Sequence, residues 1–328
     1  MEAIGFSGRE TQGKDSPQAA WTPQPQGGSS IAGIICTHNR DRYLGAAIAS
    51  LLAQDLPQFE VWVVDNASTD NTRSVVEPYL SHPQFHYVYE ENLGLSVARN
   101  RGARETQAEI LAYLDDDAEA APDWLRHLQQ AYHQDPRLAV AGGKVTLIWP
   151  YTPPHWLSKN LMGALGDFDL GSQPLPIQDP RLTPRGVNYS VRRSFLESIG
   201  GFDPQLGRVG KKLLSNEELY VTELAIKQGW GVAYVPQAQV GHHVSPERMN
   251  RRWFLERSWW QGVSEYYRDR FGGVSRGQQF RRGGERLVRG IYKGIKFLGD
   301  PPQSFDNWVY AYGQLGYFSH WLGAMFEK

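Results

Sequence analysis

The chain has 328 residues, 41% of them apolar, and a formal net charge of −1. That is length for one large domain or two modest ones, with no basic excess of the kind that marks nucleic-acid binding. The single cysteine, Cys36, excludes an intrachain disulfide and a multi-cysteine metal site.

Residues 1–29 are rich in Gly, Ser, Gln and Pro without apolar periodicity and read as a disordered tail. SIAGIIC then predicts a buried strand running into polar THNR, and residues 41–55 place Leu44, Ala47, Ile48, Leu51 and Leu52 at helical spacing. FEVWVVD is a second strand ending at Asp65. A helix follows with Thr69 or Asp70 as its cap. FHYVYE is a third strand, Ser96–Glu105 a helix, EILAYLDDD a fourth strand and PDWLRHLQQAYHQ the helix after it. This alternation predicts an α/β fold with a mainly parallel sheet flanked by helices. Ligands of such sheets bind at the carboxyl ends of the strands, where the polar clusters of this chain fall.

Residues 150–185 are Pro-rich and weakly periodic, as expected of a functional or mobile segment. Trp149 and Trp156 would shape an acceptor side there, with the segment acting as a lid. Residues 217–230 predict a helix and GVAYVP a late strand. From Asn250 to Asp300 there are 12 Lys/Arg against 5 Asp/Glu, interleaved with apolar residues over 281–297. A basic amphipathic helix of this kind either contacts an anionic membrane peripherally or packs on the catalytic domain with a solvated basic face.

Three adjacent carboxylates after an apolar strand, Asp115, Asp116 and Asp117, repel one another. A hard divalent cation removes that cost and can then neutralise a diphosphate. A solvated, capped turn is the alternative for the triplet alone. Asp65 can accept hydrogen bonds from a base edge, Gly94 admits close backbone approach, and Arg99 can pair with phosphate or with the acids.

THNR, VVDNASTDNT, ENLGLSVARNRG and YLDDDAEAAPDWL, in this order, resemble the family 2 glycosyltransferases of the GT-A fold. The likeness continues through RGVNYSVRRSFLESIGGFD, LLSNEELY and YVPQAQVGHH, covering roughly residues 30–250. It implies a Rossmann-like GT-A domain at 30–248, with a nucleotide-binding half (30–135) and an acceptor and catalytic half (136–248). A basic, aromatic, helical C-terminal extension would occupy 249–328.

The resemblance further implies that Thr37, Asn39, Arg40, Asn66, Asn92 and Gly94 line the nucleotide site with Asp65 and Arg99. Asp115 and Asp117 would be the acids of the DXD motif, Asp117 the direct ligand of Mn2+ or Mg2+ and Asp116 the variable middle residue near ribose. Gly186, Asn188 and Trp156 would sit by the sugar or acceptor. NEEL stands where the family shows Glu-Asp, so the general base carries over to Glu218, with Glu217 as rival. A metal-binding histidine after the late strand would be His242, with His243 as rival. Arg252 or Arg257 would reach phosphate.

The expected activity is inverting transfer from a nucleotide-diphospho-sugar to a sugar or lipid-linked acceptor, in cell-surface polysaccharide or glycolipid assembly. The competing readings are a nucleotidyltransferase and a non-catalytic sugar-nucleotide-binding or assembly protein. THNR lacks a Gly-rich triphosphate loop, and the intact acidic set argues against a dead site. No stretch approaches the roughly 18 apolar residues of a membrane span, and the N-terminus lacks a signal-peptide pattern. The expected location is therefore cytoplasmic, or peripheral on the cytoplasmic face of a membrane.

Overall fold

The structure, a computed structural model, describes residues 30–210 and 215–326. The expected N-terminal tail, and Leu213 and Leu214 of the LLSNEELY motif, lie outside the described residues.

The elements follow the predicted alternation. Strand β1 (Ile31–Thr37) leads to helix α1 (Asp41–Leu52), then β2 (Glu60–Asn66), α2 (Thr72–Val76), β3 (Phe85–Glu90), α3 (Leu95–Glu105) and β4 (Ile110–Asp115). β1 pairs in parallel with both β2 and β4, and β2 with β3. Covered on both faces, β1 and β4 are buried along almost their whole length, which explains their unbroken apolar runs. Leu44, Ala47, Ile48 and Leu51 form the buried stripe of α1, as their spacing requires. On α3, Gly102 permits close helix–sheet contact: a Cβ there would meet Ile34 at 2.6 Å. The expected cap of α2 sits one residue early, for Asp70 Oδ1 accepts from the Thr72 N–H while Asn71 makes no side-chain cap bond.

The predicted fourth strand ends at Asp115. Asp116 and Asp117 form a turn, and a three-residue strand β5 (Ala118–Ala120) precedes α4 (Trp124–Gln134). The second half adds β6 (Leu138–Ile148), α5 (Lys159–Met162), β7 (Leu175–Pro176), β8 (Asn188–Arg192), α6 (Arg193–Ser198), α7 (Glu217–Lys227) and β9 (Gly231–His243). The strand order is β3-β2-β1-β4-β8-β6-β9-β5, with β7 paired to β9. β8 is antiparallel to β4 and β5 antiparallel to β9, so the sheet is mixed beyond β4.

Three helices follow: α8 (Arg251–Phe271), α9 (Arg276–Lys296) and α10 (Pro301–Phe326). α8 and α10 cross at backbone distance, Gly262 lying against the Gly313 carbonyl and Gly316 against that of Trp259. α9 likewise turns Gly283, Gly290 and Gly294 towards Phe318, Ala311 and Trp308 of α10. Its apolar residues therefore face outward, Val288 being 67% and Ile295 55% exposed.

Within the Pro-rich segment, Ser158 caps α5, and Asp306 of α10 accepts from Ser158 Oγ and Asn160 Nδ2. Trp156 packs edge-on to Phe254 and Phe305 in a second apolar cluster with Leu157 and Leu161. These contacts tie the 156–161 stretch of the segment to the C-terminal helices.

Candidate active site

At the carboxyl ends of β1 and β4 lies a cavity of about 900 Å³, walled by both halves of the sheet and by α8, α9 and α10. Its lining gathers residues far apart in sequence: Thr37 at the end of β1 and Arg40 beyond it, Asn66 at the end of β2, Gly94 and Arg99 at α3, and Asp115 to Asp117 at and beyond the end of β4. Gly186, Glu217, Glu218 and His242 close the other side.

One pole is acidic. Asp115, Asp117 and His242 bring candidate ligand atoms within 4.8 Å of one another. The β5–β9 register causes this by setting Ala118 opposite His242, while the His243 N–H donates to the Asp117 carbonyl at 2.8 Å. His242 Nδ1 lies 2.6 Å from the Leu165 carbonyl, an acceptor only, so Nδ1 carries a proton and Nε2 points at Asp117 Oδ1, 2.9 Å away. Fixing one ring nitrogen in this way orients the other as a metal ligand. Two carboxylates and one imidazole form a donor set that fits a divalent cation.

Arg40 Nη1 and Arg248 Nη2 also meet Asp117 Oδ2, at 2.9 and 3.2 Å. Burial works to raise the Asp117 carboxyl, but His242 and the two arginines outweigh it and hold it well below the carboxylate range. The reciprocal charge of Asp117 overcomes burial at His242 and raises it. Asp116 moves the other way, raised by burial and then by the charge on Asp117. His243 points elsewhere: its Nε2 meets Glu119 Oε1 and its ring stacks on Tyr43.

The second pole is the pair at the start of α7. Buried Arg99 contacts Glu217 Oε1 through Nη1 and Glu218 Oε1 through Nη2, both at 3.0 Å. The Glu217 side chain is 2% exposed and that of Glu218 15%. Burial and then the neighbouring Glu218 charge raise Glu217, whereas Arg99 overcomes burial at Glu218 and lowers it. The wall therefore presents one glutamate held as a carboxylate and one that favours its proton.

Several expected site residues serve the frame instead. Asn188 is fully buried: its Oδ1 accepts from Trp124 Nε1 and its Nδ2 donates to the Lys144 and Ala238 carbonyls. With its amide occupied, it does not face the sugar side. Trp156 is outside the cavity wall for the packing reason above. Asn39, at φ +54°, accepts from the Thr69 N–H at 2.7 Å and ties the loop after β1 to that after β2. Asn92 donates from its backbone and side chain to Glu90 Oε1. Asp65 sits beside Thr37 across the β1–β2 register, accepting from the Ser68 N–H and the Tyr87 hydroxyl. It lies outside the cavity wall proper.

Of the two arginines expected near phosphate, Arg252 is exposed and pairs with Glu256, while Arg257 lines the cavity and donates to Ser215 Oγ. Burial and then the like charge of Arg208 push Arg257 down to about 10. Sequence reasoning missed Arg248, Arg185 and the Leu165 carbonyl. Arg185 opens the RGVNYSVRRSFLESIGGFD motif but drew no role there, Arg248 lies in no such motif, and only the fold brings all three to the cavity. Burial pushes the Cys36 thiol up to about 12, so it is no thiolate nucleophile.

Residues 33–187 match the family model described as Glycosyl transferase family 2. Glucosyl-dolichyl phosphate glucuronosyltransferase of Haloferax volcanii is 29% identical over 244 residues, 73% of this chain and 77% of the relative. The succinoglycan biosynthesis protein ExoM of Rhizobium meliloti is 27% identical over 234 residues, 70% of this chain and 71% of that protein. Among solved structures, the mannosyltransferase PcManGT of Pyrobaculum calidifontis, in complex with GDP-Man and Mn2+, superposes with a TM-score of 0.56 at 18% identity. That match covers 92% of this chain and 78% of the other. It shares the fold.

Proposed function

Since the chain belongs to the family 2 glycosyltransferases, we propose that it moves a sugar, with inversion, from a nucleotide-diphospho-sugar in this cavity to an acceptor hydroxyl. The observation that carries the assignment of roles is Arg99, which holds both glutamates and leaves Glu218 ionised and facing the cavity.

In this reading Glu218 takes the proton of the attacking hydroxyl while Arg99 fixes its carboxylate. Asp115, Asp117 and His242 would hold Mn2+ or Mg2+, which when bound would supply positive charge against the leaving diphosphate. Arg40, Arg248 and Arg257 line the same wall and supply cationic donors for phosphate oxygens. Thr37 and Asn66 border the nucleotide side. Glu218→Gln should abolish transfer while nucleotide binding persists. Transfer that survives the substitution overturns the base assignment.

A lipid-linked acceptor in glycolipid assembly is supported by α9. No helix of the described residues is long and apolar enough to cross a membrane. Yet α9 exposes Val288, Tyr292 and Ile295 beside Arg281, Arg289 and Lys293. Apolar residues flanked by cations suit the surface of an anionic bilayer. Sedimentation with vesicles rich in anionic lipid, lost on Val288→Asp together with Ile295→Asp, is the expected result. Equal binding by the variant counts against the contact.

A further inference from the structure

Arg185 has no partner that accounts for its charge. It stands just before Gly186 on the cavity wall, its guanidinium 5.1 Å over the Phe168 ring. Among the described residues it makes no ion pair, and its buried Nε–H has no hydrogen-bond acceptor. The acids that influence it are Glu218 on one side and Asp167 on the other. Glu218 is already engaged by Arg99, and Asp167 makes no ion pair with Arg185. A desolvated guanidinium with a free Nε–H is expensive unless something supplies an acceptor.

Its position says what that acceptor belongs to. Arg185 Nη2 lies beside Gly163, the first residue of a single helical turn (Gly163–Leu165) whose last residue, Leu165, orients His242. The guanidinium thus occupies the wall between the acidic pole and Glu218. A sugar poised for transfer has to lie between the group that holds its diphosphate and the base that activates its acceptor. The diphosphate has its own cations in Arg40, Arg248 and Arg257. A neutral hydroxymethyl group would leave the charge of Arg185 uncompensated, whereas a carboxylate matches the planar fork of Nε–H and Nη–H with two oxygens.

We propose that Arg185 recognises a carboxylate on the transferred sugar, so that the donor is a nucleotide-diphospho-uronate. This rests on the reading of the cavity as a nucleotide-sugar site. The test uses the full chain with Mn2+ and paired uronate and neutral hexose donors carrying UDP or GDP, read by affinity and by release of nucleoside diphosphate. The wild type should bind one uronate donor at least about thirty-fold tighter than its hexose counterpart, the scale of a buried charge contact. Arg185→Gln should lose that factor for the uronate while hexose binding changes less than about three-fold, and Arg185→Lys should keep part of it. Equal affinity for the two donors, an equal loss of both in Arg185→Gln, or an effect confined to acceptor affinity overturns the proposal and leaves glycosyl transfer standing. No response to any nucleotide-sugar removes the underlying reading and the proposal together.

Discussion

Gly186 has no space for a side chain because the Glu218 carboxylate occupies it. A Cβ at Gly186 would overlap Glu218 Oε1 and come within 2.7 Å of Arg99 Nη2. A carboxylate at the end of a loose side chain would step aside, but Glu218 is held at 3.0 Å by a buried guanidinium. Gly186→Ala should therefore cost only about 1–3 kcal/mol of stability, as overpacking does, yet lower kcat by roughly 10²-fold through a displaced base. Kinetics beside thermal melts would check this. A kcat within about two-fold of wild type would show that Glu218 moves freely and acts elsewhere.

Arg99 is the charge that makes two adjacent buried glutamates tolerable. Replacing it by Met keeps much of its volume and leaves Glu217 and Glu218 without their cation. Breaking a buried pair from one side costs about 3–5 kcal/mol. Urea unfolding of Arg99→Met at neutral pH should show a loss of that order. A change below about 1 kcal/mol would mean that the glutamates are stabilised by something other than Arg99.

Much of this was legible in the chain itself. β1 to β4 announce themselves because central parallel strands are buried on both faces, which gives short unbroken apolar runs with polar residues where they emerge. Asp115 and Asp117 stand at such an exit and reach one cavity with Arg99 of α3 and Glu218 at the start of α7. The rest depended on distant pairing. β5 has only three residues and no periodic signature, yet its register with β9 brings Asp117 to His242. Arg248 lies in an irregular segment with no pattern to mark it, and Arg185, though it opens a family-like motif, stands in a loop where nothing in the sequence shows which way it faces. Asn188 misleads in the opposite direction: a polar residue in a family-like motif reads as a ligand contact until its amide is seen filled by Trp124, Lys144 and Ala238.

The two glutamates also imprint a pH dependence on stability. Burial, and then the charge of Glu218, raise Glu217 from 4.5 to about 7. Its folded-state value thus exceeds the unfolded one, so the folded chain holds this proton more tightly. The resulting stabilisation is complete below the unfolded value of about 4.3 and is lost as pH rises through about 7. Glu217→Gln removes this component. Between pH 5 and pH 8 the wild type should lose stability relative to the variant. Unfolding midpoints that run parallel across that range would show Glu217 ionised throughout.

Metal affinity should depend on a residue that binds no metal. Gly166 follows Leu165 with φ at +101°, a conformation that favours glycine, and a Cβ there would stand 2.8 Å from His242 Nδ1. That nitrogen is the one anchored on the Leu165 carbonyl. Gly166→Ala therefore strains the turn and presses on the ring from the side that fixes its orientation, turning Nε2 away from Asp117. Loss of a residue that orients a ligand lowers metal affinity about 10–100-fold. A Mn2+ titration followed by electron paramagnetic resonance should show that weakening in Gly166→Ala, and a comparable or larger one in His242→Ala. Should Gly166→Ala bind Mn2+ as the wild type does while His242→Ala does not, the ring does not need the Leu165 anchor. Should both bind normally, His242 is no ligand, and Asp115 and Asp117 carry the ion without it.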